Sequence, residues 1–297
     1  MKRILIILTV IFAASLMIGS VSAEGMFDIF TSSSDSTNNE SNFVVGFNPE
    51  FPPFTYKDDN GSYTGFDLEL AQEVAKRNNW TFVPQPIIDW NSKQVEINSG
   101  EFDCLWSEFT IDGRESDYAW SDAYFNNSQV IVVKNSSGIN SPDDLKGKNV
   151  EIQEGSSALQ SLDEQNKSFK DTFAKLTEIK DYNTGFMDLE SGACDALIID
   201  VGMANYHVSG KYSDKGFKII DEPVSHEKYG VGFKKDNTEL RDKVQKTLDD
   251  MFKDGTVDKN AQIQSRNIRK NTKTNQQMVP IKQNKQQLRK QQQRPKI

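Results

Sequence analysis

Residues 107–125 read SEFTIDGRESDYAWSDAYF, a polar loop that carries one arginine, Arg114, between two apolar runs. Upstream, Phe102-Asp103-Cys104-Leu105-Trp106 alternates after a bounding glycine as a strand does. Downstream, Val130 to Val133 is a β-branched run of the kind buried in a sheet. Arg114 therefore falls on a connection at a sheet edge. A guanidinium offers a planar fork of donors that fits a carboxylate bidentately, and with Thr110 beside it the loop reads as an anion clamp. A solvated surface charge is the commoner fate of a loop arginine, so the loop alone leaves both readings open.

The charge around this loop is acidic. The chain has 297 residues, 36% of them hydrophobic, and a net charge of −8. Ten of its lysines and arginines lie from Asn260 onward and two more at Lys2 and Arg3, so the stretch from Glu24 to Lys259 holds 23 basic against 43 acidic residues, a net of −20. Such a body gives no reason to expect nucleic acid as a partner. Residues 1–23 have a basic start, the apolar run Ile4 to Ile18 and the small-residue ending Val21-Ser22-Ala23. They read as a secretory signal peptide or a retained N-terminal anchor. Residues 24–42, with TSSSDSTNNESN and no apolar period, read as a flexible linker. Cys104 and Cys194 sit among strand residues in different halves and are expected as buried free thiols. With only His207 and His226 and no Cys/His cluster, no metal site and no cofactor is expected.

Between linker and loop, Phe43 to Phe47 is a strand, followed by Asn48-Pro49-Glu50-Phe51-Pro52-Pro53-Phe54. Its three prolines stiffen the loop and fix Phe51 and Phe54. A helix follows Gly65-Phe66-Asp67, with acids early and bases late. Trp80 to Pro84 is a strand, and Asp89-Trp90 leads into a second helix. Beyond Val133, Asn149 to Gln153 is a strand turned by Glu154-Gly155-Ser156-Ser157 into a helix. The start of that helix is either an anion cradle or ordinary serine capping. Asp200 closes the strand Ala196 to Ile199 at its carboxyl end, where ligands bind in open α/β sheets; the alternative is a cap for the helix that follows. Tyr229 to Phe233 reads as one strand, and a last helix over Leu240 to Met251 stops at Gly255. Residues 260–297 read as a disordered basic tail. Ser99-Gly100-Glu101-Phe102-Asp103-Cys104-Leu105 is echoed by Ser191-Gly192-Ala193-Cys194-Asp195-Ala196-Leu197, as two similarly built α/β halves would produce.

Several short motifs occur here in the order found in the amino-acid-binding proteins of ABC importers, solute-binding protein family 3. They are Phe51-Pro52-Pro53-Phe54, Gly65-Phe66-Asp67-Leu68, Arg114 with Trp120-Ser121-Asp122-Ala123-Tyr124-Phe125, Asp143-Leu145-Gly147, Gly155-Ser156-Ser157, and Asp195 to Asp200. The resemblance covers about Phe43 to Asp258. It implies an α/β, two-lobed periplasmic binding protein fold of type II with two hinge crossings. Lobe one would comprise residues 41–132 plus 224–259, and lobe two residues 133–223. Carried over by position, Arg114 resembles the residue that takes the ligand α-carboxylate, and Thr110 the hydroxyl in the same loop. Ser156 and Ser157 match a lobe-two pair that caps the carboxylate, and Asp200 matches the aspartate that receives the α-ammonium. Phe51 and Trp90 match rings around the side chain. The chain departs from the family at Ser107-Glu108, where many members have a glycine, and its Thr110 to Arg114 loop is one residue shorter. Glu108 either faces a second cationic group of the ligand or points to solvent, and the solvent-facing reading is preferred. The tail lacks the family's usual aromatic ending.

The resemblance implies an extracytoplasmic receptor, secreted, periplasmic or tethered to the outer face of the cytoplasmic membrane, that acts as a monomer. It would deliver a polar amino acid to an ABC permease. The alternatives are a ligand-sensing ectodomain and, from another class, a periplasmic dehydratase-like enzyme, for which a general acid or base aimed at a leaving group would be required. Glu108 is the one unusual carboxylate, and no partner for it is visible in the sequence, so no enzyme is expected.

Overall fold

The computed structural model describes residues 41–271 together with Met278, Pro280 and Ile281. The expected signal peptide and nearly all of the expected linker lie outside these residues. The linker's last residue, Asn42, already opens a strand.

Two sheets organise the chain, and each is built from strand–helix–strand units. The first has the order β4-β1-β5-β13-β6, with β1 at Asn42–Phe47, β4 at Thr81–Pro86, β5 at Cys104–Leu105, β6 at Ala119–Trp120 and β13 at Gly232–Phe233. A small hairpin, β2 (Tyr56–Lys57) and β3 (Tyr63–Thr64), precedes helix α1 (Phe66–Arg77), and α2 spans Lys93–Ser99. β1 runs parallel to β4 and β5, as crossover helices require. The second sheet has the order β11-β7-β10-β8-β9, with β12 added beside β7. Its strands are β7 (Phe125–Lys134), β8 (Asn149–Gln153), β9 (Lys175–Ile179), β10 (Ala196–Asp200), β11 (Phe217–Ile219) and β12 (Ser225–Tyr229). Its helices are α3 (Ser157–Glu164), the single turn α4 (Lys167–Lys170), α5 (Tyr182–Ser191) and α6 (Val201–Ser209). The chain then returns to the first sheet through β13 and ends in α7 (Thr238–Lys253) and α8 (Thr256–Asn271).

The repeated heptad is a structural repeat. α2 and α5 both end at a left-handed glycine, Gly100 and Gly192, each with φ 87°. In each lobe the aspartate before the next strand then brackets a neighbouring strand's start. Asp103 accepts from the Val44 amide at 2.7 Å, and Asp195 from the Asn149 amide at 2.8 Å.

The crossings between the lobes are β7 and β12, which pair antiparallel from Phe125↔Tyr229 to Gln129↔Ser225. Val130, Ile131 and Val132 lie beyond that pairing, opposite Ile199, Ile198 and Leu197 of β10. The boundary expected after Val132 therefore moves earlier, because the apolar run is the buried centre of the second sheet. The single strand expected over Tyr229 to Phe233 is also two. β12 ends at Tyr229, and Gly230-Val231 carries the chain across to β13.

The tail needs the largest correction. Residues 260–271 are not an irregular extension: they continue α8, with Val257, Ala261, Gln264 and Ser265 buried. Polar composition hid this helix because two of its inward positions are polar residues that find hydrogen-bond partners inside the fold. The Gln264 amide donates to Glu69 at 2.6 Å, and the Ser265 hydroxyl donates to the Ala261 carbonyl at 2.6 Å while accepting from the Met278 amide at 2.9 Å. Pro280 bridges to Phe125, and the Ile281 amide donates to the Tyr124 carbonyl at 3.1 Å. The other residues of the expected tail lie outside the described ones. Cys104 and Cys194 are free and buried.

Candidate functional site

The proline-rich loop is held by the start of α1. The amides of Phe66 and Asp67 donate to the carbonyls of Pro53 and Phe54, each at 3.1 Å. This approach needs a glycine before the helix: Gly65 has φ 126°, and a Cβ there would lie 2.0 Å from the Phe54 carbonyl oxygen. Phe51 is thereby fixed against Tyr182 of lobe two, with ring centroids 5.9 Å apart.

The loop from Ser107 to Arg114 leaves β5 and is stitched to the crossing strand β12. The Ile111 amide donates to the Lys228 carbonyl at 2.9 Å, the Lys228 amide donates to Asp112 at 2.7 Å, and Thr110 bridges to Tyr229. Arg114 is buried, its guanidinium 5.3 Å from the centroid of Phe109, and the Trp120 indole donates to its carbonyl at 2.9 Å. The solvated reading is therefore set aside. Burial lowers the guanidinium pKa, but a guanidinium stays charged in proteins. Its Nη2 donates to the Gly155 carbonyl of lobe two at 3.1 Å.

On the lobe-two side, Ser156 caps α3 by accepting from the Leu159 amide at 3.2 Å, and Ser157 opens the helix. Asp200 stands before α6 but makes no side-chain cap to it. Its carboxylate instead accepts from the Asn127 amide group and the Tyr229 hydroxyl, both on the crossing strands. Burial, and then the nearby Glu227, push its pKa up to about 8. Glu227 accepts from Asn127 and Gln129 at 2.6 and 2.8 Å.

Arg114, Asp200, Thr110, Ser156, Ser157, Phe51, Trp90 and Glu108 all line one narrow cavity, together with Asn48, Ser107, Phe109 and Gln153. The solvent-facing reading of Glu108 is overturned, since the residue is 7% exposed. The lobes are closed over this space. The Gln160 amide group donates to the Gly113 carbonyl at 2.8 Å, and that of Asn183 to Glu50 at 3.0 Å. A larger groove between α1 and α8 is lined by exposed side chains such as Lys76 and Lys259. It lacks the buried, convergent polar groups of the cleft.

Beside the unpredicted lining residues Asn48, Phe109 and Gln153, two charged neighbours of the site also escaped the sequence reading. Glu227 was hidden because β12 alternates charged and polar residues. Lys93 looked like a surface helix residue, yet it is buried, with its ammonium 3.2 Å from the Trp90 carbonyl and 3.0 Å from that of Gly155, over the Trp90 ring. Burial, and then Arg114, pull its pKa down to about 7. The Trp90–Lys93 spacing of three residues was the available signal. Among the described residues, no group of three or more His, Cys, Asp or Glu could hold a metal ion.

Two α/β lobes, two crossing strands and an enclosed polar cleft between them define a type II periplasmic binding protein. The chain matches the bacterial extracellular solute-binding proteins, family 3, over residues 43–263, and it belongs to that family. It is 31% identical over 231 residues to the arginine-binding extracellular protein ArtP of Bacillus subtilis, covering 77% of this chain and 88% of that one. An ancestral arginine-binding protein bound to arginine superimposes with a TM-score of 0.69 at 36% identity, covering 75% of this chain and 97% of that one. An ABC uptake transporter substrate-binding protein from Streptococcus pneumoniae with bound histidine gives a TM-score of 0.70 at 30% identity, covering 77% and 92%.

Proposed function

We propose that this solute-binding protein captures a polar amino acid between its lobes outside the cytoplasm, as a monomer, and hands it to an ABC permease without transforming it. The observation that carries the reading is that Arg114 from lobe one and Asp200 from lobe two line the same enclosed cavity. A zwitterion fits that arrangement. Arg114 takes the α-carboxylate, joined by the Thr110 hydroxyl and by the amides at the start of α3 around Ser156 and Ser157. Asp200 takes the α-ammonium, which replaces the proton that burial favours on its carboxyl. Phe51 and Trp90 wall the side chain from water. Ligand contacts to both lobes make closure the state that binding stabilises. The relatives are named as binding proteins, which supports transport over turnover.

Calorimetric titration with the twenty amino acids and cystine tests the reading. The expected result is a dissociation constant in the micromolar range or below for at least one ligand, with the ligand recovered unchanged. Failure of all to bind, or conversion of the bound compound, would overturn it.

A further inference from the structure

We infer that Glu108 selects the ligand's side chain: its carboxyl receives a second cationic group, a guanidinium or ammonium, and releases a proton to solvent as that group arrives. This rests on the amino-acid-binding reading and narrows it to cationic amino acids.

The placement of Glu108 is specific. It is a non-glycine residue with φ 42° in the cavity wall, a conformation that side chains rarely adopt without support. The support is Asp67, fully buried in the first turn of α1, whose carboxylate accepts the Glu108 amide at 2.6 Å. The Glu108 carboxyl accepts from the Ser107 hydroxyl at 2.6 Å and lies 3.3 Å from that of Thr55. Thr55 has one proton to give, and the Asn48 carbonyl competes for it at 2.6 Å. Ser107 and Thr55 thus hold the carboxyl beside Asn48, in the wall that continues to Phe51.

No lysine or arginine pairs with Glu108 among the described residues. The cavity's guanidinium, on Arg114, donates to Gly155, and Lys93 donates to the Trp90 and Gly155 carbonyls. The groups that do face Glu108 are acidic or phenolic: Asp67 from α1, Asp200 from β10, Tyr124 ahead of β7, Tyr182 from α5 and Tyr229 from β12. A buried carboxyl in such company stays protonated until a cation reaches it. Burial and then Asp67 push its pKa well up, in agreement with the geometry. The cavity charges also match a cationic amino acid. A zwitterion uses Arg114 and Asp200 and leaves Glu108 over, so the complementary ligand carries one more positive group. In the unbound protein the proton sits on a Glu108 carboxyl oxygen. On binding it passes to bulk buffer, and the carboxylate pairs with the ligand cation.

Calorimetric titration of the protein with arginine and with glutamine at pH 7, each in two buffers of different ionisation enthalpy, tests this. Arginine is expected to bind about 100-fold more tightly than glutamine. It should also release about one proton more, because any proton leaving Asp200 is common to both ligands. Glu108→Gln should weaken arginine about 100-fold, remove the extra proton and erase most of the arginine-over-glutamine preference. Equal wild-type affinities, equal proton release, or arginine binding unchanged in Glu108→Gln would each overturn the proposal while leaving the amino-acid receptor intact. Absence of binding by any amino acid would remove both. The wild-type proton count needs no variant, so a folding defect in Glu108→Gln does not blunt the test.

Discussion

The two ends of the cleft are built in opposite ways. At the anion end, Arg114 and Lys93 each donate a hydrogen bond across the lobes, to the Gly155 carbonyl at 3.1 and 3.0 Å. At the cation end, Asp200 is held by Asn127 and Tyr229 on the crossing strands, in the same sheet as β10 itself. Opening the cleft dismantles the first arrangement and leaves the second standing. The carboxyl end is therefore preformed, its proton favoured by burial until a cation replaces it, and the guanidinium end makes its contact across the closed cleft.

Arg114→Ala should break this contrast most severely, since it removes the one guanidinium that lines the cleft among the described residues, from a site closed around it. Ligand affinity should fall about 1000-fold by calorimetry. Retention within tenfold would mean that the α-carboxylate is held elsewhere.

Asp200→Asn should weaken binding about 100-fold, and it also has a signature in the unliganded protein. The Asp200 carboxyl is raised in the fold, so its contribution to stability is complete below the ordinary carboxylate range near 4 and is lost as pH rises through about 8. Thermal unfolding between pH 5 and pH 8 should show wild type losing stability relative to Asp200→Asn across that interval. Parallel curves would contradict a carboxyl that the fold holds protonated.

Lys93→Met sharpens the anion end. It removes a lobe-to-lobe hydrogen bond but keeps most of the aliphatic bulk over Trp90, so affinity should fall about three- to tenfold, mainly through faster dissociation in stopped flow. An unchanged dissociation rate would make the Lys93–Gly155 contact incidental to closure. Val257→Ala, in α8 and away from the cleft, serves as the contrast. It should cost about 2 kcal/mol of stability in denaturant unfolding while binding stays within twofold.

What the sequence disclosed follows the same division between local and assembled features. The strand Val130 to Val133, the left-handed glycines Gly100 and Gly192, and Arg114 on its loop are written in short, contiguous patterns, and the family motifs put them in order. Features made by distant contacts were not legible. The register of β12 against β7 depends on pairing about one hundred residues apart in the chain and is carried by polar and charged side chains, so Glu227 was missed. α8 was obscured because inward Gln264 and Ser265 look like solvent-facing residues until their partners Glu69 and Met278 are known. Glu108 was read outward for a similar reason: the groups that keep it inside, Asp67 and Thr55, are more than forty residues away.

The most direct test of the bridge between lobes is a binding cycle with the best amino-acid ligand and its decarboxylated amine, titrated against wild type and Arg114→Ala. If the α-carboxylate rests on Arg114, wild type will prefer the amino acid by about 1000-fold and the variant will bind the two compounds nearly equally. A variant that keeps the full preference would contradict the assignment of the guanidinium to the carboxylate, and with it the account of how the lobes close.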